Sequence, residues 1–468
     1  MTGKRKRKLA IPDTLIIVAS VVLLVAILSW IIPSGTYDYQ EMNINGRIRN
    51  VAIDGTYHTI DKSEVTTTGF LGFFSVLYRG CVEAADVIFM ILCCCGTFGV
   101  VVKTGAFHAG IGTILKKLKG KEILLVPIIM MIFGLGGSVF GMASEFYGFY
   151  PLIVGLGVAL GYDAMFGFAI IAVGEFVGFM GATLNPYSVG IAQTISGVEL
   201  YSGTGYRAIC FVIFMAISII YVMVYGRKIK KNPGASVVFG EKNIHAFDRD
   251  ELNEYSFTLK DGLVLLDVLV VLVVLMLGLI KWGWDFPQLC GLFLLMSMIA
   301  AAICKWSPNK WCSEFIDSAK TAMWGCILTG IAKAITVVMQ DAQIMDTVIY
   351  GLSNVLKNAP HAVSAQVMLV VQTLINFFIP SATGQASATM PIMAQLADII
   401  GVSRQTAVLA FQFGDGLSNI FWPTADIVII CGLGGISLQK WYKWFTPLFL
   451  ILFVTQAILL GIATGIGF

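Results

Sequence analysis

Charge is what this sequence has least of. Only 13% of its 468 residues are Asp, Glu, Lys or Arg, against about 25% in a soluble domain. The net charge is +3, and the basic residues stand in short clusters between apolar runs. No basic face is available for nucleic acid, so that class of partner is excluded. Histidine is scarce, with four residues scattered along the chain, and the polar stretch from Ser34 to Gly69 holds no cysteine. An extracellular disulfide framework is therefore not expected. Cys93, Cys94 and Cys95 are consecutive inside an apolar run, with no second ligand cluster beside them. They read as small packing residues, and no metal site is expected.

Apolar surface is what the chain has instead. Hydrophobic residues make up 57% of it, and the mean hydropathy is +0.83. Several runs are long enough to cross about 30 Å of hydrocarbon as helices. The fold class is an all-α polytopic membrane protein, with the lipid bilayer as its surroundings. An uncleaved first helix is read at 15–32, because the run is too long for a signal peptide and Pro33-Ser34-Gly35 is a poor cleavage site. Further helices are predicted near 84–103, 122–136, 145–160, 163–182, 187–199 and 205–226. After a polar linker come 263–283, 287–304, 316–339, 361–379, 388–400, 403–415, 425–437 and 444–466. Mixed polarity at helical spacing predicts surface helices at 107–118 and 344–357.

This divides the chain into an N-terminal helix and extracellular loop (1–69), a first repeat (70–226), a cytoplasmic linker (227–260) and a second repeat unit (261–468). Basic loops orient it. Lys4 to Lys8, Lys116-Lys117 with Lys119 and Lys121, and Arg227-Lys228 with Lys230-Lys231 are assigned to the cytoplasm, joined by Lys305, Lys310, Lys440 and Lys443. The N-terminus is then inside and the C-terminus outside.

The two halves resemble each other. Gly141-Met-Ala-Ser144, Pro151, Gly161 and Gly174-Glu175 match Gly384-Gln-Ala-Ser387, Pro391, Gly401 and Gly414-Asp415. Pro to acid spans 24 residues in each half (175 − 151 and 415 − 391). The charge topology sets one surface helix inside and the other outside, so the repeats read as inverted, a feature of secondary transporters. Each half also holds backbone unsuited to a continuous helix. Gly134 to Ser144, with Gly137, Ser138 and Gly141, interrupts one apolar stretch, and Pro380-Ser381-Ala-Thr383-Gly384-Gln385-Ala-Ser387 interrupts the other. Flanking arms of about 15 residues are too short to span, so each reads as a re-entrant hairpin. Two more breaks are Gly181-Ala-Thr183-Leu-Asn185-Pro186, and Asp415 through Ser418-Asn419 to Pro423-Thr424. Irregular backbone at membrane depth is tolerated where it lines a cavity. Half-helix N-termini there suit a carboxylate, and C-termini a cation. Isolated Gly96, Gly99 and Gly330 read as packing glycines.

Charges inside the membrane are expensive and point to function. Glu145 lies beside the first tip, Glu175 and Asp415 hold matching positions, and Asp426 follows the last break. Lys333 stands against them in an apolar helix. Glu175 and Lys333 are assigned to a coupling ion or to a structural charge pair. The excess of acid suggests a cation in the site: Na⁺, a proton, or a basic substrate group. Tyr162-Asp163 with Gly414-Asp415 superficially matches an intramembrane aspartyl protease, but Gln412 breaks the Gly-x-Gly-Asp pattern. Two hairpins with inverted repeats suit alternating access better than a channel. A transporter, not an enzyme, is expected.

These motifs also carry a family resemblance. Asp13-Thr-Leu, Ile32-Pro-Ser-Gly-Thr-Tyr-Asp38, Gly136-Gly-Ser-Val-Phe-Gly-Met142, Gly161-Tyr-Asp163, Phe411-Gln-Phe-Gly-Asp-Gly-Leu-Ser418 and Arg227-Lys-Ile-Lys-Lys-Asn-Pro233 resemble the YfcC-like branch of the C4-dicarboxylate anaerobic carrier family. The resemblance, within the ion transporter superfamily, implies an elevator: a transport domain with two hairpins moving past a scaffold in the cytoplasmic membrane. It places substrate and ion contacts at Ser138, Gly141 and Ser144, at Asn185-Pro186, at Ser381, Thr383 and Gly384, and at Asp415, Ser418 and Asn419. Gly137, Glu145, Ser387, Thr424 and Asp426 complete the expected substrate site. Dimers are common in the superfamily, although no residue here shows one. The branch is associated with basic-amino-acid antiport, with arginine/ornithine exchangers among its relatives, and the family with C4-dicarboxylates. Asp426 adds an acid that suits a cationic side chain and repels a dicarboxylate at close range. The expected function is amino-acid exchange, most readily of a basic one; the alternative is Na⁺- or H⁺-coupled dicarboxylate transport. Asp415 is expected to be indispensable.

Overall fold

The computed structural model describes residues 14–44, 47–118, 122–241, 245, 257–357 and 363–468. The basic cluster Lys4 to Lys8, Asp13, Lys119, Lys121 and the linker stretch 246–256 lie outside the described residues. Among those described, nineteen α-helices follow one another. In the first half they are α1 (Thr14–Ile31), α2 (Phe70–Glu83), α3 (Ala85–Lys103), α4 (Ala106–Leu118), α5 (Leu125–Leu135), α6 (Phe149–Ala159), α7 (Ala164–Met180), α8 (Val189–Ile195) and α9 (Thr204–Lys231). The second half holds α10 (Leu259–Lys281), α11 (Phe286–Ile303), α12 (Pro308–Lys320), α13 (Met323–Asp341), α14 (Met345–Lys357), α15 (Ser364–Phe378), α16 (Ala382–Ile399), α17 (Arg404–Ser418), α18 (Ile427–Gly434) and α19 (Leu438–Gly465). Six are long and apolar enough to cross a membrane: Ala85–Lys103, Thr204–Lys231, Leu259–Leu279, Phe286–Ile303, Met323–Asp341 and Leu438–Gly465.

Two helix ends, one in each half, are built alike. After α6, Gly161 turns left-handed at φ 81°, and Tyr162 N donates to Gly157 O at 3.1 Å. After α16, Gly401 does the same at φ 72°, and Val402 N donates to Ala397 O at 2.9 Å. Both are C-terminal motifs in which glycine frees the chain to satisfy the last carbonyls. The next residues cap the following helix: Asp163 accepts from Phe166 N at 2.7 Å, and Ser403 from Thr406 N at 3.0 Å. Helices from the two halves then exchange partners, α2 packing on α13 and α12 on α3. Glycines permit it. A Cβ on Gly80 would lie 2.3 Å from Gly330 O, and one on Gly330 would meet Cys81 Sγ at 2.2 Å. Gly96 and Gly99 likewise press on Phe315 and Ser318. The packing role expected for Gly96, Gly99 and Gly330 is what the structure shows.

At the centre lie α7 and α17. Every residue of α7 is buried, as is every residue of α17 from Thr406 onward. An apolar periphery on all sides marks a core helix. Each rests on the helix pair before it, α5 and α6 under α7, α15 and α16 under α17.

Several expectations need correcting. Two short helices, α2 and α12, were not expected; α12 carries Lys310, Glu314, Asp317 and Lys320 and ends at Thr321, so 316–339 is two helices rather than one. The stretch Gly384 to Ser387 does not break its helix. Ser381 caps α16 at its start, accepting from Gly384 N at 3.3 Å, and the break is confined to Ile379, Pro380 and Ser381. Asp415 through Ser418 also remain helical, and the second break runs from Asn419 to Asp426.

The polar stretch after α1 forms two antiparallel pairs, β1 (Ser34–Thr36) with β4 (His58–Ile60), and β2 (Tyr39–Ile44) with β3 (Arg47–Ala52). Asp346, in the first turn of α14, fastens this ribbon. It accepts from Tyr37 N at 3.0 Å and from Tyr39 OH at 2.8 and 2.9 Å. Burial first, and then the Asp346 carboxylate, push the Tyr39 phenol up, so it stays protonated as a donor. Tyr57 stacks on Tyr350 with ring centroids 4.1 Å apart. Asp346→Ala is expected to speed proteolytic cleavage within 34–69 by about fivefold, a loss of about 1 kcal/mol of local stability. Cleavage at the wild-type rate would show that the ribbon is held by other contacts.

Candidate functional site

The first tip is a wide helical turn, Gly136–Phe140, that follows α5. Gly137 and Ser138 are buried in it, and Gly141 leaves it at φ 69°. A side chain on Gly141 would run into Asn185 Oδ1, 2.4 Å from an ideal Cβ. This tip is stitched to the break after α7. Ser138 Oγ donates to Gly181 O at 3.0 Å and receives Thr183 N at 3.2 Å. Asn185 Nδ2 donates to Gly137 O at 3.4 Å, while Asn185 Oδ1 takes Tyr187 N and Ser188 N. Gly137, Ser138, Asn185 and Pro186 thus form the seam between tip and break, with the polar groups of Ser138 and Asn185 engaged.

The second tip meets the first half across the molecule: Thr383 Oγ1 donates to Tyr187 O at 2.9 Å. Ser387 turns back to Thr383 O at 2.9 Å. Beneath the tip lies a buried amide network that the sequence reading missed. Asn376 Nδ2 donates to Gln385 Oε1 at 3.2 Å, Asp415 Oδ1 at 3.0 Å and Asn419 Oδ1 at 3.2 Å. Gln385 Nε2 continues to Gln372 Oε1 at 2.7 Å. Asp415 is fully buried in this network, and its Oδ2 has no partner. Ser418 Oγ donates to Gly414 O at 2.5 Å, within its own helix. Thr424 Oγ1 donates to Phe377 O at 2.7 Å.

Both tips open onto a cavity of about 560 Å³, within the roughly 300–1,000 Å³ of small-molecule sites. Of the expected residues, Gly141, Ser144, Ser381, Thr383, Gly384, Asn419, Thr424, Asp426 and Lys333 line it. Lys333 makes no hydrogen bond or ion pair among the described residues, so the charge pair considered for it is not formed. Asp426, just before α18, accepts from Tyr147 OH at 2.8 Å. A second chamber of about 770 Å³ shares the tips and reaches the ribbon. Tyr39 and Asn50, Trp284 and Asp285 line its far side, with Glu145 and Ser387 nearer the tips. Glu145 Oε2 is occupied by Ala143 N at 3.0 Å.

Asp415, Ser418 and Glu175 do not reach either chamber. Tyr147 and Tyr187, which line the cavity, were not singled out from sequence. Their signal was position alone, since Tyr187 follows Asn185-Pro186 and Tyr147 comes three residues after Ser144.

The model of the family described as "C4-dicarboxylate anaerobic carrier" matches residues 11–465. An Escherichia coli (strain K12) protein named "Putative basic amino acid antiporter YfcC" is 32% identical over 502 residues, covering 100% of this chain and 99% of its own. An uncharacterized protein of Haemophilus influenzae is 27% identical over 506 residues, covering 99% of each. Among solved structures, the Alcanivorax borkumensis YdaH transporter overlays with a TM-score of 0.44 at 15% identity, covering 98% of this chain and 99% of that one.

Proposed function

This chain belongs to the C4-dicarboxylate anaerobic carrier family, and from that premise, a multi-pass membrane transporter, we propose that it exchanges basic amino acids, arginine and ornithine foremost, across the cytoplasmic membrane. The observation that carries the reading is one cavity lined by both an unpaired Lys333 and Asp426, with no ion pair between them among the described residues. Opposite charges at separate places suit a zwitterion with a cationic side chain. In this reading the α-carboxylate meets Lys333 and the Ser381-capped start of α16, where free N–H groups favour an anion. The cationic end meets Asp426, and Ser144, Thr383, Asn419 and Thr424 supply neutral polar contacts. Asp415 acts from behind, holding Asn376 and Asn419 in place. The name of the Escherichia coli relative supports this substrate class.

The helix pairs α5–α6 and α15–α16 serve as re-entrant hairpins. Together with α7–α8 and α17–α18 they form the moving unit of an elevator. The interlocked helices α2, α3, α12 and α13 form its scaffold. A second reading, C4-dicarboxylate transport coupled to Na⁺ or H⁺, is favoured by the family description and by the same unpaired Lys333.

Counterflow in proteoliposomes separates the two. Vesicles loaded with arginine, ornithine, succinate or nothing are offered each labelled solute, with and without an ion gradient. Arginine uptake only into arginine- or ornithine-loaded vesicles is the expected result. Succinate uptake driven by an ion gradient would replace exchange of amino acids with the second reading.

A further inference from the structure

Glu175 is used by none of this. It sits midway along α7, fully buried, 0% exposed. Its Oε2 accepts from Tyr150 OH at 2.8 Å, and its Oε1 has no partner. No Lys, Arg or His lies within ion-pair distance of it among the described residues. Among the described residues, the cations on the elements packed against α7, all of them on α9 and α17, form no ion pair with Glu175. α5 carries no titratable side chain. α6 supplies Tyr150, with Glu145 and Tyr147 just before it, and Asp426 precedes α18. From α9, Arg207 is engaged with Ser202 O and Thr183 O, and Tyr225 with Asp163. From α17, Asp415 is bonded to Asn376. A carboxylate in such surroundings costs several kcal/mol, whereas a neutral carboxylic acid costs far less.

Two tyrosines stand between it and the cavity, each bonded to a carboxyl and with no hydrogen bond between their hydroxyls among the described residues. Tyr147 and Tyr150 are one helical turn apart, and both are buried. Tyr150 donates inward to Glu175, while Tyr147 donates outward to Asp426 at the cavity wall. The order from cavity to core is carboxyl, phenol, phenol, carboxyl.

We infer that Glu175 is a proton-binding site of this transporter, loaded and unloaded from the cavity through Asp426, Tyr147 and Tyr150. Tyr150 gives its hydroxyl proton to Glu175; Tyr147, turned from Asp426 toward Tyr150, passes its own proton to Tyr150 and takes one from protonated Asp426. One proton moves from Asp426 to Glu175, and both phenols end neutral. No oxidant or other reactant is needed. This rests on the chain being a transporter, but not on the identity of its substrate. It makes a proton a bound ion of the transport cycle, held apart from the cavity and reached through Asp426.

Two measurements test it. Infrared difference spectra, recorded over a pH jump on purified protein, should show the carbonyl band of a protonated buried carboxyl, and Glu175→Gln should remove it. Tyr150→Phe should keep the band and slow its response to the jump by about tenfold, the effect of one lost hydrogen bond in a proton-transfer path. In proteoliposomes, wild-type counterflow should change at least about fivefold between about pH 5.5 and about pH 8.5, and Glu175→Gln should change less than about twofold. A band that survives Glu175→Gln, or a pH profile that survives it, overturns the inference. If the wild type moves no tested substrate, the substrate reading fails while the band still decides Glu175. Should Glu175→Gln not fold, persistence of a wild-type response rate in Tyr150→Phe overturns the route.

Discussion

Asp426→Asn is expected to lower arginine counterflow at sub-saturating substrate about 100-fold, chiefly by raising KM. The carboxylate lines the cavity, and a charge-assisted hydrogen bond is about twice as strong as a neutral one. Removing one member of such a pair costs about 2–5 kcal/mol, and about 2.7 kcal/mol is a factor of 100. Asparagine keeps the size and can still accept from Tyr147 OH, so the 2.8 Å contact and the fold survive. Tyr147→Phe, by contrast, keeps the charge and should cost far less in affinity. Lys333→Met tests the other pole: arginine and succinate should both weaken, because each presents a carboxylate. If Asp426→Asn leaves arginine unaffected or speeds succinate, the acid belongs to no cationic substrate group and the dicarboxylate reading gains.

That weight on Asp426 differs from the sequence expectation, which favoured Asp415, and the reason is geometric. In sequence Asp415 abuts an expected break, but α17 continues through Ser418 and Asp415 joins the amide network. Helix continuation through Asp-Gly-Leu-Ser could not be told from a break by composition, because burial among Asn376, Gln385 and Gln372 satisfies what water would otherwise solvate. The same ambiguity misplaced the second tip. Ser, Thr and Gly after Pro380 suit a loop and a helix start equally, and the capping bond from Gly384 N decides for the start. What was legible came from positions with few physical solutions. Gly161 and Gly401 both sit at left-handed turns after a helix, and Asn185-Pro186 marked a true interruption. The β-ribbon escaped because its strands are short and pair locally, with their stability supplied by Asp346 more than 300 residues away. Tyr147 and Tyr150 escaped because they lie on a helix and the turn before it, where aromatic residues look like packing.

Gly178→Val is expected to deny the molecule its fold. An ideal Cβ at Gly178 lies 2.1 Å from Gly134 O and 2.5 Å from Gly134 Cα. Both are backbone atoms of α5, so no side chain can swing aside. The seam extends along both helices: a Cβ on Gly137 would meet Glu175 O at 2.5 Å, and one on Gly174 would meet Met130 Cα at 3.0 Å. Gly174 and Gly178 are four apart on α7, the small-residue spacing that lets membrane helices approach to backbone contact. Separating α5 from α7 would also move the turn at Gly136–Phe140, pull Ser138 from Gly181 O and Thr183, and displace one wall of the cavity. Overpacking typically costs about 1–3 kcal/mol where neighbours can yield, and here they cannot without parting two core helices. The monodisperse fraction in detergent should fall at least about tenfold, which corresponds to about 1.4 kcal/mol or more. Gly291→Val on α11 is the control, since nothing lies within 4 Å of a Cβ there. Its effect should stay within about 0.5 kcal/mol, as for an exposed position away from such seams. Equal behaviour of the two variants would mean that α5 and α7 are not in backbone contact. Without that contact, the position of the first tip, and the cavity built on it, would need another explanation.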